Sequence, residues 1–302
     1  MHDAYDSLDH AWREILRALL SRKPSSARVL RDGEIARELL SHSFTIDMQA
    51  GGGQSWLTNE RRRLNPGYAC AEVLWLALGC TDTHLIARFA PSFEARYCDG
   101  KPYARWAYGP RIMGALPAAI ARLGQHSNSS RACVQCFDTR LDLVEATENV
   151  LCPCTLNWQF FVRDDKLHMI ETARASDAWV GLPNDVFVST CFMRVVAWEL
   201  GLELGGYHRH AGTLHLYERH LARAIEALGA PDRPSLRPCP WKPTRDTLLD
   251  LRTAALSWDR YTLSKPGGDE ENMVRDLVKT CRWHAGGTVA PIGPPAWRVL
   301  CT

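Results

Sequence analysis

The sequence lacks any uninterrupted apolar run approaching the roughly 20 residues that span a bilayer. Its opening, MHDAYDSLDHAWREILRALLSRK, carries acidic side chains where an export signal would be basic and then apolar. Both absences lead to the expectation of a cytoplasmic protein. An excess of one charge is equally missing. The 36 Lys and Arg stand against 34 Asp and Glu for a net charge of +2, so no broad basic field points to a nucleic-acid polymer, and an anionic ligand has to be held by local arginines. No internal repeat and no low-complexity segment interrupts the chain. A disulfide framework is not indicated either, because the 11 cysteines are odd in number and several, such as Cys70, Cys80 and Cys191, lie within apolar segments. They read as small buried hydrophobes of a reducing compartment.

What is present is enough apolar material for a large core, with 46% hydrophobic residues over 302 positions. Residues 9–22 place Trp12, Ile15, Leu16, Leu19 and Leu20 at helical spacing and predict an amphipathic helix ending before Lys23-Pro24. Residues 43–48 alternate as a half-buried strand does, and Gly51-Gly52-Gly53 breaks the pattern. Residues 67–79 are apolar on most faces and predict a buried helix, with Glu72 inside it. A carboxylate buried there costs on the order of several kcal/mol unless it is paired. A further helix is expected over 112–123 and a strand over 132–137. A hairpin is expected from 156–162 through Asp164-Asp165 into 167–172. Long helices are expected over 186–200 and 214–228. The tail is Pro-rich to residue 243, helical around 246–256, and Gly- and Pro-rich over 286–295. Strands and helices mix without regular βαβ alternation, so the fold class is α+β. A catalytic domain over 1–230 is expected, with a divergent extension over 231–302 packed on it.

Cys133-x-x-Cys136 and Cys152-x-Cys154, with His208 or His210, offer the donor types of a zinc site. A strand over 132–137 would turn Cys133 and Cys136 to opposite faces, so no metal site is expected. Cys154, between Pro153 and a strand, is by itself either an inert buried thiol or a nucleophile. Arginines nearby would favour the second by lowering its pKa.

The segment CPCTLNWQFFVRDDKLHMIETARASDAWVGLPNDVF and the later GLELGGYHRHAGTLHLYERH resemble the thymidylate synthase family. The family's hallmarks are a Pro-Cys nucleophile, a Gln-Phe strand, an Arg-Ser-x-Asp turn, Gly-Leu-Pro before a helix, and His-x-Tyr. Earlier pieces follow in order: Arg31, Trp56-Leu57-Thr58 with Arg61, Arg62 and Arg63, Ala71-Glu72-Val73-Leu74-Trp75, Tyr108-Gly109, and Ser130-Arg131. The resemblance implies a large mixed sheet packed on long helices, and 5,10-methylenetetrahydrofolate as cofactor. It implies that Cys154 adds to C6 of a pyrimidine nucleoside monophosphate, so that C5 attacks the one-carbon unit. It further implies Glu72 and Tyr108 in proton transfer, and Arg31, Arg174 and Arg131 on the 5'-phosphate, Arg131 being donated across a homodimer. His215 and Tyr217 would meet the sugar, Asp177 the folate pterin, and Gly181 and Asn184 the folate side of the pocket. Ala175 stands where the family has a serine.

Where family members acting on uracil carry Asn after Gly-Leu-Pro-x, this chain has Asp185. A carboxylate accepts from the N4 amine of cytosine but opposes O4 of uracil. The chain is thus similar to the CMP and dCMP hydroxymethylases, nearer the type of nucleoside-antibiotic biosynthesis, because Ala175 opens space beside the nucleotide. The expected product is 5-hydroxymethyl-(d)CMP, formed by water capture. The alternatives are methylation of dUMP and a non-catalytic nucleotide-binding protein. Asp185 as a plain cap of a helix starting at Val186 is the structural alternative for that residue.

Overall fold

A computed structural model describes residues 4–22, 28–29, 33–50, 53–98, 100–144, 151–230, 241, 246–257 and 272–285. Among the described residues seven strands form one mixed sheet: β1 (Ala4–Tyr5), β2 (Arg28–Val29), β3 (Ile35–Asp47), β4 (Cys133–Gln135), β5 (Thr155–Arg163), β6 (Lys166–Asp177) and β7 (Glu203–Tyr217). The order across the sheet is β1-β3-β7-β6-β5-β4, with β2 also paired to β3. The β6–β7 and β1–β3 pairs are parallel and the others antiparallel. The helices are α1 (Leu8–Leu20), α2 (Pro66–Leu78), α3 (His84–Ala87), α4 (Phe93–Tyr97), α5 (Gly109–Gln125), α6 (Gly181–Glu199), α7 (Leu221–Gly229), α8 (Thr247–Leu256) and α9 (Met273–His284). None of them is long and apolar enough to cross a membrane. The mixture of one sheet and many helices is the α+β class expected.

Local signals account for most boundaries. Ser7 caps α1 through its hydroxyl, which accepts from His10 N, and Asn65 caps α2 through Tyr68 N ahead of Pro66. Gly79 ends α2 at φ +64°, the left-handed position that glycine occupies without strain. The hairpin between β5 and β6 turns at Asp164 (φ 50°) and Asp165 (φ 57°), the two-residue connection that matches strand twist.

One expectation is overturned. Residues 214–228 are not a helix: β7 runs through Tyr217, a 3-10 turn covers Glu218–His220, and α7 begins at Leu221. The apolar residues of 214–228 combine the end of a strand, Leu214 and Leu216, with the start of an amphipathic helix, so their joint spacing imitates a single helical period. Pairing with β3 on one side and β6 on the other satisfies the β7 backbone in the extended state. Strand β3 is also longer than residues 43–48, since its partner β7 keeps it in register from Ala36 to Asp47. Helix α9 went unread in the sequence.

Helix α2 is the hub that positions the site. Ala69, Cys70, Val73, Leu74 and Leu76 are fully buried, and α5, α6, α8 and α9 all pack against it. Gly109 at the start of α5 allows a close approach to α2, because a Cβ there would come within 2.9 Å of Leu76 O. The polar side chain of Glu72 is thereby held where α2 meets α6 and the start of α5.

Candidate active site

Cys154 ends the loop before β5, and Arg174 of β6 wraps that loop. Its Nε donates to Pro153 O at 2.9 Å, one Nη donates to Cys152 O at 3.1 Å, and the same Nη lies 3.9 Å from Cys154 Sγ. The backbone N–H of Arg174 also donates to Cys154 O at 2.8 Å. Gly212 on the neighbouring β7 makes room for this strand, since a Cβ there would stand 2.9 Å from Arg174 O. The sulfur is open to solvent, yet protein surrounds it on most sides. That surrounding pushes the thiol above its ordinary value, and Arg174 pulls it only part of the way back, with Asp185 and Cys152 opposing. The expectation of a lowered thiol pKa is therefore corrected: desolvation outweighs the guanidinium in the free protein.

Asp185 does not cap a helix. Helix α6 begins at Gly181, so Asp185 sits within its second turn, where its Oδ2 accepts from Arg209 Nη2 at 2.9 Å. A Cβ at Gly181 would lie 3.6 Å from that same Oδ2, so the helix start itself borders the carboxylate. Burial raises the Asp185 carboxyl to about 6; Arg209 opposes the rise, while Glu171 and Asp177 add to it. Its immediate neighbour Asn184 donates through Nδ2 to Glu72 Oε2. Asn184 thus engages the α2 glutamate. Glu72 is raised to about 8, first by burial and then by Asp185, with the Asn184 hydrogen bond working against the rise. Tyr108 precedes α5 and feels both carboxyls; burial, Glu72 and Asp185 push its phenol well up, so it stays un-ionised.

On the other side, the last residue of β6, Asp177, is in register with His215 of β7. Asp177 Oδ1 accepts from Trp179 N at 2.8 Å and Val180 N at 3.0 Å, and its Oδ2 has no hydrogen-bond partner among the described residues. His215 is 7% exposed, and its Nδ1 is buried without a hydrogen-bond partner. Burial lowers the imidazole pKa despite Asp177 and Glu38, so the ring is neutral near pH 7. Tyr217 stands edge-on to it at 5.0 Å. Arg62 donates to Trp179 O at 2.7 Å and lies 5.8 Å over the Trp179 ring. Ala175, opposite Thr213, is part-exposed next to Arg174.

Cys154, Arg174, Asp185, Glu72, Asn184 and Tyr108 are thus brought together, with Asp177, His215 and Tyr217 along the β6–β7 ends. Arg131 is not among them. It is exposed two residues before β4, and pairing of Cys133 with Gln159 puts it toward the opposite end of β5 from Cys154. Arg31 lies outside the described residues. Cys133 is exposed and Cys136 buried, on opposite sides of the chain.

The sequence reading missed the group beneath the pocket. Glu171 and Arg209 are fully buried and joined at 2.8 Å. Tyr207 OH donates to Glu171 Oε2 at 2.5 Å, Thr155 Oγ1 donates to Glu171 Oε1 at 3.0 Å, and Arg209 Nη2 reaches Ser176 Oγ at 3.3 Å. Alternation along β7 carries the signal: Tyr207, Arg209 and Ala211 share the inward face, so a charge falls on a core position.

A family model described as thymidylate synthase matches residues 10–265. The chain belongs to the thymidylate synthase family. It is a transferase of the methylenetetrahydrofolate-dependent kind, and the family's one-carbon transfer to a pyrimidine nucleotide is the chemistry into which these residues fit.

Proposed function

We propose that the enzyme hydroxymethylates C5 of a cytidine monophosphate, CMP in preference to dCMP, giving 5-hydroxymethyl-(d)CMP. The observation that carries this reading is Asp185: an acceptor-only group bordering Cys154, where the uracil-specific members of the family have an amide. An N4 amine meets such a group favourably, and a carbonyl O4 does not. When bound, 5,10-methylenetetrahydrofolate supplies the one-carbon unit; Asp177, with Gly181 and the Arg62–Trp179 pair nearby, would hold it.

Cys154 adds to C6 of the base and the ring's electron density moves to C5, which would take the one-carbon unit as that carbon's bonds to the folate nitrogens break and the folate leaves. Arg174 stabilises the thiolate and borders the phosphate side, where Arg31 and a partner copy's residue at position 131 would complete the grip in a homodimer. Glu72, neutral near pH 7, hydrogen-bonds the ring or its waters and passes a proton as the adduct forms. Tyr108 assists removal of the C5 proton. The exocyclic methylene left on the base takes water, and the bond to Cys154 then breaks to restore the aromatic ring. His215 and Tyr217 orient the sugar, and the small Ala175 leaves room for a 2'-hydroxyl.

The test is incubation with CMP, dCMP, UMP or dUMP and methylenetetrahydrofolate, followed by mass spectrometry of the nucleotide. A gain of about 30 mass units, one CH2O, on a cytosine nucleotide is expected, and about 14, one CH2, on a uracil nucleotide would overturn the reading.

A further inference from the structure

Beneath the pocket, one buried cation serves two carboxylates. The Arg209 guanidinium has no solvent exposure, and neither does Glu171, its partner at 2.8 Å; Asp185, at 2.9 Å, retains 26% side-chain exposure on its pocket side. Thr155 and Tyr207 also donate to Glu171, and Ser176 lies beside the Nη that meets Asp185, so Arg209 is held from β5, β6 and β7 at once. Asp185 Oδ2 is occupied by that contact, while Oδ1 has no hydrogen-bond partner among the described residues.

We infer that Arg209 is a positioning residue for base selection: by binding one oxygen of Asp185 it keeps the side chain a carboxylate and leaves a single fixed acceptor facing the base. The inference rests on the cytosine reading above and adds the residue that enforces it. A guanidinium bound to one oxygen favours the ionised form, so the other oxygen stays an acceptor. Without Arg209, the same side chain would face Glu171 and Asp177 on β6, Glu72 and Tyr68 on α2, Tyr108 ahead of α5 and Cys154 ahead of β5, with Arg174 standing beyond Cys154. It would take up a proton, and a carboxylic acid offers one donor and one acceptor. That pattern serves O4 and N3–H of uracil as well as N3 and the N4 amine of cytosine, so the preference between the bases is lost.

The test is calorimetric titration of the full-length protein with CMP and with UMP at several pH values. It compares wild type, Asp185→Asn, and the isosteric neutral double variant Arg209→Gln/Glu171→Gln. The wild type is expected to prefer CMP by about tenfold or more at pH 8, with the ratio shrinking as pH falls through about 6. The double variant is expected to bring the ratio near unity at pH 7.5 and to recover part of it at higher pH. Equal losses for both nucleotides with an unchanged ratio would make Arg209 merely structural and overturn the inference. So would a wild-type ratio that is flat from pH 5.5 to 8, a measurement that does not depend on the variant folding. Failure of the underlying cytosine reading looks different, because the wild type itself would then favour UMP at every pH.

Discussion

Replacing Glu72 with Gln should make the protein more stable in alkaline solution while abolishing its turnover. Burial, with Asp185 as the second cause, lifts the Glu72 carboxyl from 4.5 to about 8. The native state therefore keeps a proton that the unfolded chain has released. For an acid with a raised folded value, stability is full below about pH 4.5 and declines as pH rises toward about 8. The whole displacement corresponds to about 5 kcal/mol as an upper bound, and partial contact of the side chain with solvent reduces this to about 2–4 kcal/mol. Glutamine has the same shape and no proton to lose, and it still offers an oxygen to Asn184. Urea unfolding at pH 5 and pH 8.5, with equal m-values in the two proteins, should show the stability of Glu72→Gln relative to wild type growing by that amount. Asp185 titrates in both proteins and largely cancels. Turnover should fall on the order of 100-fold or more, because the amide cannot pass a proton. A stability difference between the two proteins that stays constant within about 0.5 kcal/mol over this range would refute the buried, protonated Glu72.

Arg174→Ala should shift the pH profile of Cys154 alkylation by iodoacetamide to higher pH, read by peptide mass spectrometry, since the guanidinium is the largest influence holding the thiol down against burial; an unmoved profile would remove Arg174 from nucleophile activation. Asp164→Asn with Asp165→Gly should raise stability by about 0.5–1 kcal/mol in thermal unfolding, because both positions have positive φ. A drop would mean that the two aspartates hold the turn by contacts of their own.

The parts legible in the sequence are those governed by local chemistry. Asn65-Pro66 and Gly79 bracket α2 by capping and by a left-handed backbone, so its extent was readable to within a residue or two. The Asp164-Asp165 hairpin was readable for the same reason. Strand β3 was read only at its 43–48 end, since residues 36–42 show little alternation and are held extended by pairing with a strand some 170 positions away in the chain. Position 209 shows the same limit. Whether an arginine between two histidines is solvated or buried depends on which face of β7 meets α6, and pairing with β3 and β6 decides that. The Cys154 environment failed in the opposite direction: nearby arginines were legible, but the enclosure that desolvates the sulfur was not.

That enclosure also explains how two carboxyls a few residues from one another in space divide their tasks. Glu72 and Asp185 are both desolvated, and Asp185 adds to the cost of ionising Glu72. Only Asp185 has a cation, Arg209, whereas Glu72 has the neutral amide of Asn184. The same burial therefore leaves one near 6 and the other near 8. Between these values the pocket holds an ionised acceptor for the base beside a protonated acid, and groups pushed apart in this way take on separate acid and acceptor roles. Below about 6 the acceptor is lost, and above about 8 the acid is lost. On the proposed reading, activity should therefore fall below about 6, where the Arg209-held acceptor takes a proton, and above about 8, where the α2 acid loses one; a pH–rate profile flat across both values would refute this.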